Sequence, residues 1–183
     1  SSRNLKLTKT DETTITNLEL VKVMHSHATS QQTTLLTTLD STQTPMGGRL
    51  LREWMLRPLN RRDQIIERQE SVAYLHESHM RLTTLRDLLK PIGDVHRIIS
   101  RITTSRATNP RDMLALKHIL MQLPDLKATQ DASHENLLNT LLAEIEPLPE
   151  LLSEIDQAVA DESPTHLRDG GVIKAGYDAE LDE

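Results

Sequence analysis

A chain of 183 residues fits one ordinary domain. Its apolar content of 37%, with one Trp, two Tyr and no Phe, requires an aliphatic core and resembles the composition of part of an assembly. The absence of Cys excludes disulfide scaffolds and cysteine-based zinc or nucleophile sites, and a net charge of −6 excludes a basic footprint over the whole domain.

Residues 1–44 balance four basic side chains against four acidic ones and are rich in Thr. Leu18 and Leu20 alternate with Val21 and Val23 in a pattern that predicts a short strand over 17–23. After Gln32 the pattern becomes helical almost throughout. Thr44 followed by Pro45 predicts an N-cap with proline at the first helical position, where its missing N–H costs nothing. That helix is expected to reach about Arg57 and stop at Pro58.

Residues 45–111 hold thirteen Lys/Arg against seven Asp/Glu, a net of +6. These arginines lie among helical apolar positions, which favours solvated faces and internal pairs over contact with DNA or another domain. Ile65, Ile66, Gln69, Val72 and Ala73 predict one amphipathic stripe, and Val95, Ile98, Ile99 and Ile102 a second. Asn109-Pro110 caps a helix with the stripe Met113, Leu116, Leu120 and Leu123, expected to end at Pro124.

Residues 112–183 are acidic, four basic side chains against sixteen, a net of −12. Leu137, Leu138, Leu141, Leu142 and Ile145 form a stripe that Pro147 ends, and a last helix from Glu150 to about Ala160 presents Leu151, Leu152, Ile155 and Val159. Short connections make neighbouring helices antiparallel, so the expected class is mainly α, a helical bundle. The short β element at 17–23 has a counterpart around 170–175, where Gly170 and Gly171 precede Val172 and Ile173. From Tyr177 the acidic residues suit the first turn of a new helix. One turn cannot stand alone, so a longer parent sequence is expected.

Candidate chemistry along the chain is weak. His76 and His79 sit i, i+3 and do not form the metalloprotease spacing, so they read as helix-surface residues. His25 and His27 have no third ligand nearby in sequence. The stretch from Asp169 to Gly176 lacks the Gly-Lys-Ser/Thr ending of a phosphate loop. Asp178, Glu180, Asp182 and Glu183 suit the positive end of a helix better than a cation. The expected site assignment is therefore none: no catalytic, cofactor-binding or metal residue, and no enzyme activity.

Two segments carry more. One is Thr44-Pro-Met-Gly-Gly-Arg-Leu-Leu-Arg-Glu-Trp-Met-Leu-Arg-Pro-Leu59; the other is Asp169-Gly-Gly-Val-Ile-Lys-Ala-Gly-Tyr-Asp-Ala-Glu-Leu-Asp182. In this order, with helices between them, they resemble the core (lever) domain of the MutS family of DNA mismatch-repair proteins. The resemblance rests on Thr44, Met46, Gly47, Arg49, Leu51, Trp54, Pro58 and Leu59, then Arg68, Val72 and Leu75. It continues through Asp94, Arg97, Arg101 and Pro110-Arg111-Asp112 to Gly170, Gly171, Gly176, Tyr177, Leu181 and Asp182. His96 departs from it, since the family commonly has an acid before the arginine, and no ion pair is carried over there. Within the segment at 44–59, Gly47 and Gly48 are expected to admit another backbone and Trp54 to anchor the core.

The resemblance implies that residues 1–16 end a preceding connector. Residues 17–177 would form the first part of a split core, and 178–183 the start of the lever helix toward a clamp. It implies a parent that binds mismatched double-stranded DNA and couples this to ATP hydrolysis with Mg, a DNA-dependent ATPase. The mismatch reader, Walker motifs and clamp of that parent lie outside this sequence. A homodimeric parent, a downstream repair factor of the MutL type and a cytoplasmic location, nucleoid-associated if the source is bacterial, are implied likewise. The alternative is a family relative in another DNA transaction, or a helical interaction scaffold.

Overall fold

The computed structural model describes residues 11–21, 34–104, 109–161 and 170–178. It is helical, as the periodicity predicts, and divides into two compact units, residues 1–79 and 80–183.

The first unit holds α1 (Glu12–Asn17), α2 (Leu35–Leu39), α3 (Pro45–Leu56) and α4 (Arg62–His76). The strand expected over 17–23 does not form at residues 17–21, and 22–23 lie outside the described residues. Instead α1 ends in a tight turn: Leu20 N–H donates to the Ile15 carbonyl, and Glu19 takes a left-handed φ of 48°. The carbonyls of Glu19 and Leu20 then accept from Leu35 and Leu36 N–H, the donors that open α2 and lack helical partners. Four alternating residues are too few to tell a strand from this cap.

Helix α3 begins as predicted: Thr44 is extended and its hydroxyl accepts from Gly47 N–H at 3.0 Å, with Pro45 in the first turn. It ends at Leu56, before Pro58. Helix α4 turns a different face inward from the one its stripe predicts. Val72 is 66% exposed and Ile65 is exposed, whereas Tyr74 is the buried residue. Gln64, Glu67, Arg68, Ser71 and Leu75 are half-buried on the face that holds Tyr74, and Ile66 is the one member of the stripe that is half-buried too. An aromatic at one end outweighs the smaller aliphatic stripe.

The second unit holds α5 (His79–Leu89) from its second residue on, α6 (Val95–Thr104), α7 (Pro110–Ala128), α8 (Leu137–Ala143) and α9 (Pro149–Ala158). No distinct stripe marks α5. Helix α7 is capped by Asn109, whose side chain accepts from Arg111 N–H at 3.0 Å. It does not stop at Pro124 but continues through it to Ala128. Proline removes one hydrogen bond from the Leu120 carbonyl. The last turn is held in exchange by buried Leu126 and by Lys127 Nζ, which donates to the Ile145 carbonyl at 2.7 Å.

Helix α7 packs on α6, α8 and α9 and supplies the centre of the core. Leu120, Ile155 and Val159 cluster at 5, 3 and 4% exposure, with Met113, Leu116, Leu123 and Leu152 around them. Helix α8 buries Leu142 and leaves Leu141 exposed. It is shorter than its stripe suggested, and α9 likewise ends two residues before Ala160. Val159 instead enters an antiparallel bridge with Ile173, the short β element expected around 170–175. The helix expected from residue 178 onward falls outside the described residues beyond Asp178.

Candidate functional site

Polar side chains gather in three places, two of them built from residues that the sequence singles out. Around the start of α3, Asp40 accepts from Thr42 N–H (3.0 Å) and hydroxyl (2.7 Å), which holds its carboxyl below the usual range. A Cβ on Gly47 would stand 3.1 Å from Thr44 Oγ1, and one on Gly48 3.3 Å from Thr42 Oγ1. The glycines therefore admit the side chains of the preceding loop, not another backbone as expected. Trp54 is 39% exposed and is not a core anchor. It is a platform on which the Arg68 guanidinium lies, 3.6 Å from the ring centroid. Partial burial lowers the pKa of Arg68. The exposed arginines Arg57 and Arg61 pair with Glu53 and Asp63.

The second place joins α6 to α7. Asp94 pairs with Arg97 at 3.4 Å, so an ion pair forms beside His96 although the acid there is replaced. Arg101 grips Asp112 with two nitrogens, Nε at 2.9 Å and Nη2 at 2.6 Å. Asp112 is buried, and the hydrogen bond from Arg101 pulls its carboxyl below the ordinary value against the opposing effect of burial. Residues matched on separate segments, Arg101 and Asp112, thus meet in one fork.

The third place, the α7–α9 seam, was missed by sequence reasoning. Lys117 sits on the apolar side of α7, one turn from Met113, and its side chain is 11% exposed. Its ammonium is 2.6 Å from Asp156 on α9 and 2.6 Å from Asp161. Both hydrogen bonds raise its pKa, the one it donates to Asp156 most, and Lys117 lowers both carboxyls. Lys174 lies 3.7 Å from Asp161 and donates to the Asp156 carbonyl at 2.6 Å. A lone lysine on an apolar stripe was the available signal, since a sheltered ammonium needs carboxylate partners.

Beside this seam is an open groove of about 530 Å³ lined by Lys117, His118, Met121, Pro149, Leu152, Ser153 and Asp156. Among the described residues no three His, Asp or Glu converge to hold a metal ion, and no helix is long and apolar enough to cross a membrane. His76 ends α4 and His79 opens α5. His25, His27 and Asp169 lie outside the described residues. Charged groups thus pin the helices of the second unit to one another.

Residues 13–183 match the family model described as MutS domain III. The chain is 39% identical over 173 residues to the DNA mismatch repair protein MutS of Chlorobaculum tepidum, covering 94% of this chain and 19% of that protein. It is 38% identical over 166 residues to that of Listeria innocua, 91% of this chain and 19% of that protein. With the Streptococcus pneumoniae protein it shares 36% over 173 residues, 94% and 20% respectively. The chain thus spans about a fifth of the length of these relatives.

Proposed function

The chain belongs to the MutS family, in the region of its domain III, and we propose that it serves as the connecting core of a DNA mismatch-repair protein. The observation that carries this reading is the family match over nearly the whole chain, together with the small share of the relatives' length that it covers. In this reading the full-length protein binds mismatched double-stranded DNA, hydrolyses ATP with Mg, acts as a homodimer and works with a MutL-type factor in the cytoplasm. Residues 17–177 form the first part of a split core, and 178–183 open the lever helix.

The domain's task is transmission. Coupling between two distant sites needs an element with two packed arrangements whose balance both ligands bias. Ion-paired helix seams suit that task, because packed interfaces shift between discrete arrangements rather than deforming continuously. Arg101–Asp112 ties α6 to α7, and Lys117 ties α7 to α9, so a displacement of one helix is passed to the next.

The test compares the domain alone with the full-length protein in DNA titrations and ATPase assays. The domain alone should bind homoduplex and mismatched duplex equally and weakly, with affinity fading as salt rises, and should hydrolyse no ATP. A clear mismatch preference or ATP turnover in the domain alone would overturn the assignment of those activities to other parts.

A further inference from the structure

The segment 170–178 lies against α9 with little apolar surface to hold it. Gly170, Gly171 and Gly176 have φ of 70°, 68° and 83°, and a Cβ added to any of them would meet no atom within 4 Å. Ile173 is 38% exposed. Hydrogen bonds flank the Val159–Ile173 bridge pair that joins the segment to the end of α9. Ala160 N–H donates to the Val172 carbonyl and Lys174 N–H to the Ala158 carbonyl, each at 2.9 Å. Lys174 Nζ adds its bond to the Asp156 carbonyl and its approach to the Asp161 carboxylate.

Asp161 holds a particular position in this arrangement. It is shared between Lys117, which belongs to the core, and Lys174, which belongs to the segment. Lys117 has Asp156 as a second carboxylate at the same distance, so the core does not depend on Asp161 to neutralise its sheltered ammonium. The geometry points to a releasable strap: residues 170–178 are latched to the α7–α9 pair through Asp161 and detach as a local unit when that carboxylate is screened or neutralised. Ile155 and Val159, by contrast, are almost fully buried against Leu120 and stay packed while the strap opens. The purpose of the release rests on the function proposed above; it would change how the polypeptide after residue 178 is tied to α9.

The test is hydrogen exchange on the full-length protein without DNA or nucleotide, following the amides of Ala160 and Lys174. The amide of Val159, bonded to the Ile155 carbonyl, serves as the core reference. Asp161→Asn should speed exchange at Ala160 and Lys174 together, by about three- to tenfold for two partly exposed pairs, and leave Val159 unchanged. Raising ionic strength should do the same to the unaltered protein and have less effect on Asp161→Asn. Asp156→Asn should move both amides less than Asp161→Asn, because it leaves Lys117 paired and the main-chain carbonyl in place. Unchanged exchange in Asp161→Asn, an equal or larger rise in Asp156→Asn, or the same rise at Val159 would overturn the strap. This readout involves neither mismatch binding nor ATP, so the strap and the proposed coupling function can fail separately.

Discussion

Replacing Ile155 by Ala tests whether the α7–α9 contact is the centre of the second unit. Ile155 is 3% exposed and touches Leu120 and Val159, themselves 5 and 4% exposed. The substitution removes three carbons, about 2.4 kcal/mol at ~0.8 kcal/mol per buried methylene. A cavity contribution is added where neighbours cannot close in, within a general range of about 2–5 kcal/mol. The half-buried Met113, Leu116 and Leu152 at the cluster edge have room to relax, which places the expected loss near 3 kcal/mol. With a urea dependence of ~2 kcal/mol per molar, the unfolding midpoint followed by far-ultraviolet circular dichroism should fall by about 1.5 M. Ile155→Val should cost about 1 kcal/mol. Leu151, on the same helix but 38% exposed, is the internal control, and Leu151→Ala should cost less than half as much as Ile155→Ala. Equal losses at positions 151 and 155 would refute the placement of the core.

Two further substitutions probe the polar ties. Asn139 is buried; its Oδ1 accepts from Asp131 N–H and its Nδ2 donates to the His134 carbonyl, each at 2.9 Å. Asn139→Leu leaves both main-chain groups without that partner and should cost about 2 kcal/mol, with faster amide exchange at Asp131; an unchanged midpoint would remove the clip from the account. The Asp112 carboxyl is lowered in the folded chain, so its contribution to stability is present above the ordinary carboxylate value near ~3.9 and is lost as pH falls through the lowered one. Lys117 is raised, so its contribution is present below its ordinary value and lost only as pH rises through the raised one. A stability profile against pH should therefore lose part of its acid limb in Asp112→Asn, and an identical acid limb would show that the Arg101 fork is not maintained in solution.

The helices were legible wherever an apolar stripe and a cap coincided. Thr44-Pro45 and Asn109-Pro110 marked their helix starts correctly, because capping is a local matter of one side chain and a few N–H groups. Long-range packing was not legible. Pro124 reads as a stop, yet Leu126 and Lys127 hold the helix beyond it through contacts distant in sequence. The inward face of α4 was misassigned because Tyr74, at the end of the helix, decides its orientation. The glycines of 44–59 were recognised but their neighbours were not, since loop side chains from 40–44 fill the space. Ion pairs were the least visible feature. Arg101 and Asp112 were each noted without their meeting, and Lys117 with Asp156 and Asp161 left only a lysine on an apolar stripe as a trace.

The most direct test of the central claim is the linkage between nucleotide and DNA in the full-length protein. Affinity for mismatched DNA is measured with and without bound ATP, for the unaltered protein and for Lys117→Met, which removes the ion pairs of the α7–α9 seam. Allosteric coupling of ordinary size changes affinity about 5- to 150-fold. If, as proposed, domain III transmits between a DNA site and an ATP site of the full-length protein, Lys117→Met brings that factor toward one while affinity for DNA without nucleotide, and for ATP without DNA, is kept. An unchanged coupling factor, in a variant whose α7–α9 amides exchange faster, would contradict the role assigned to this domain.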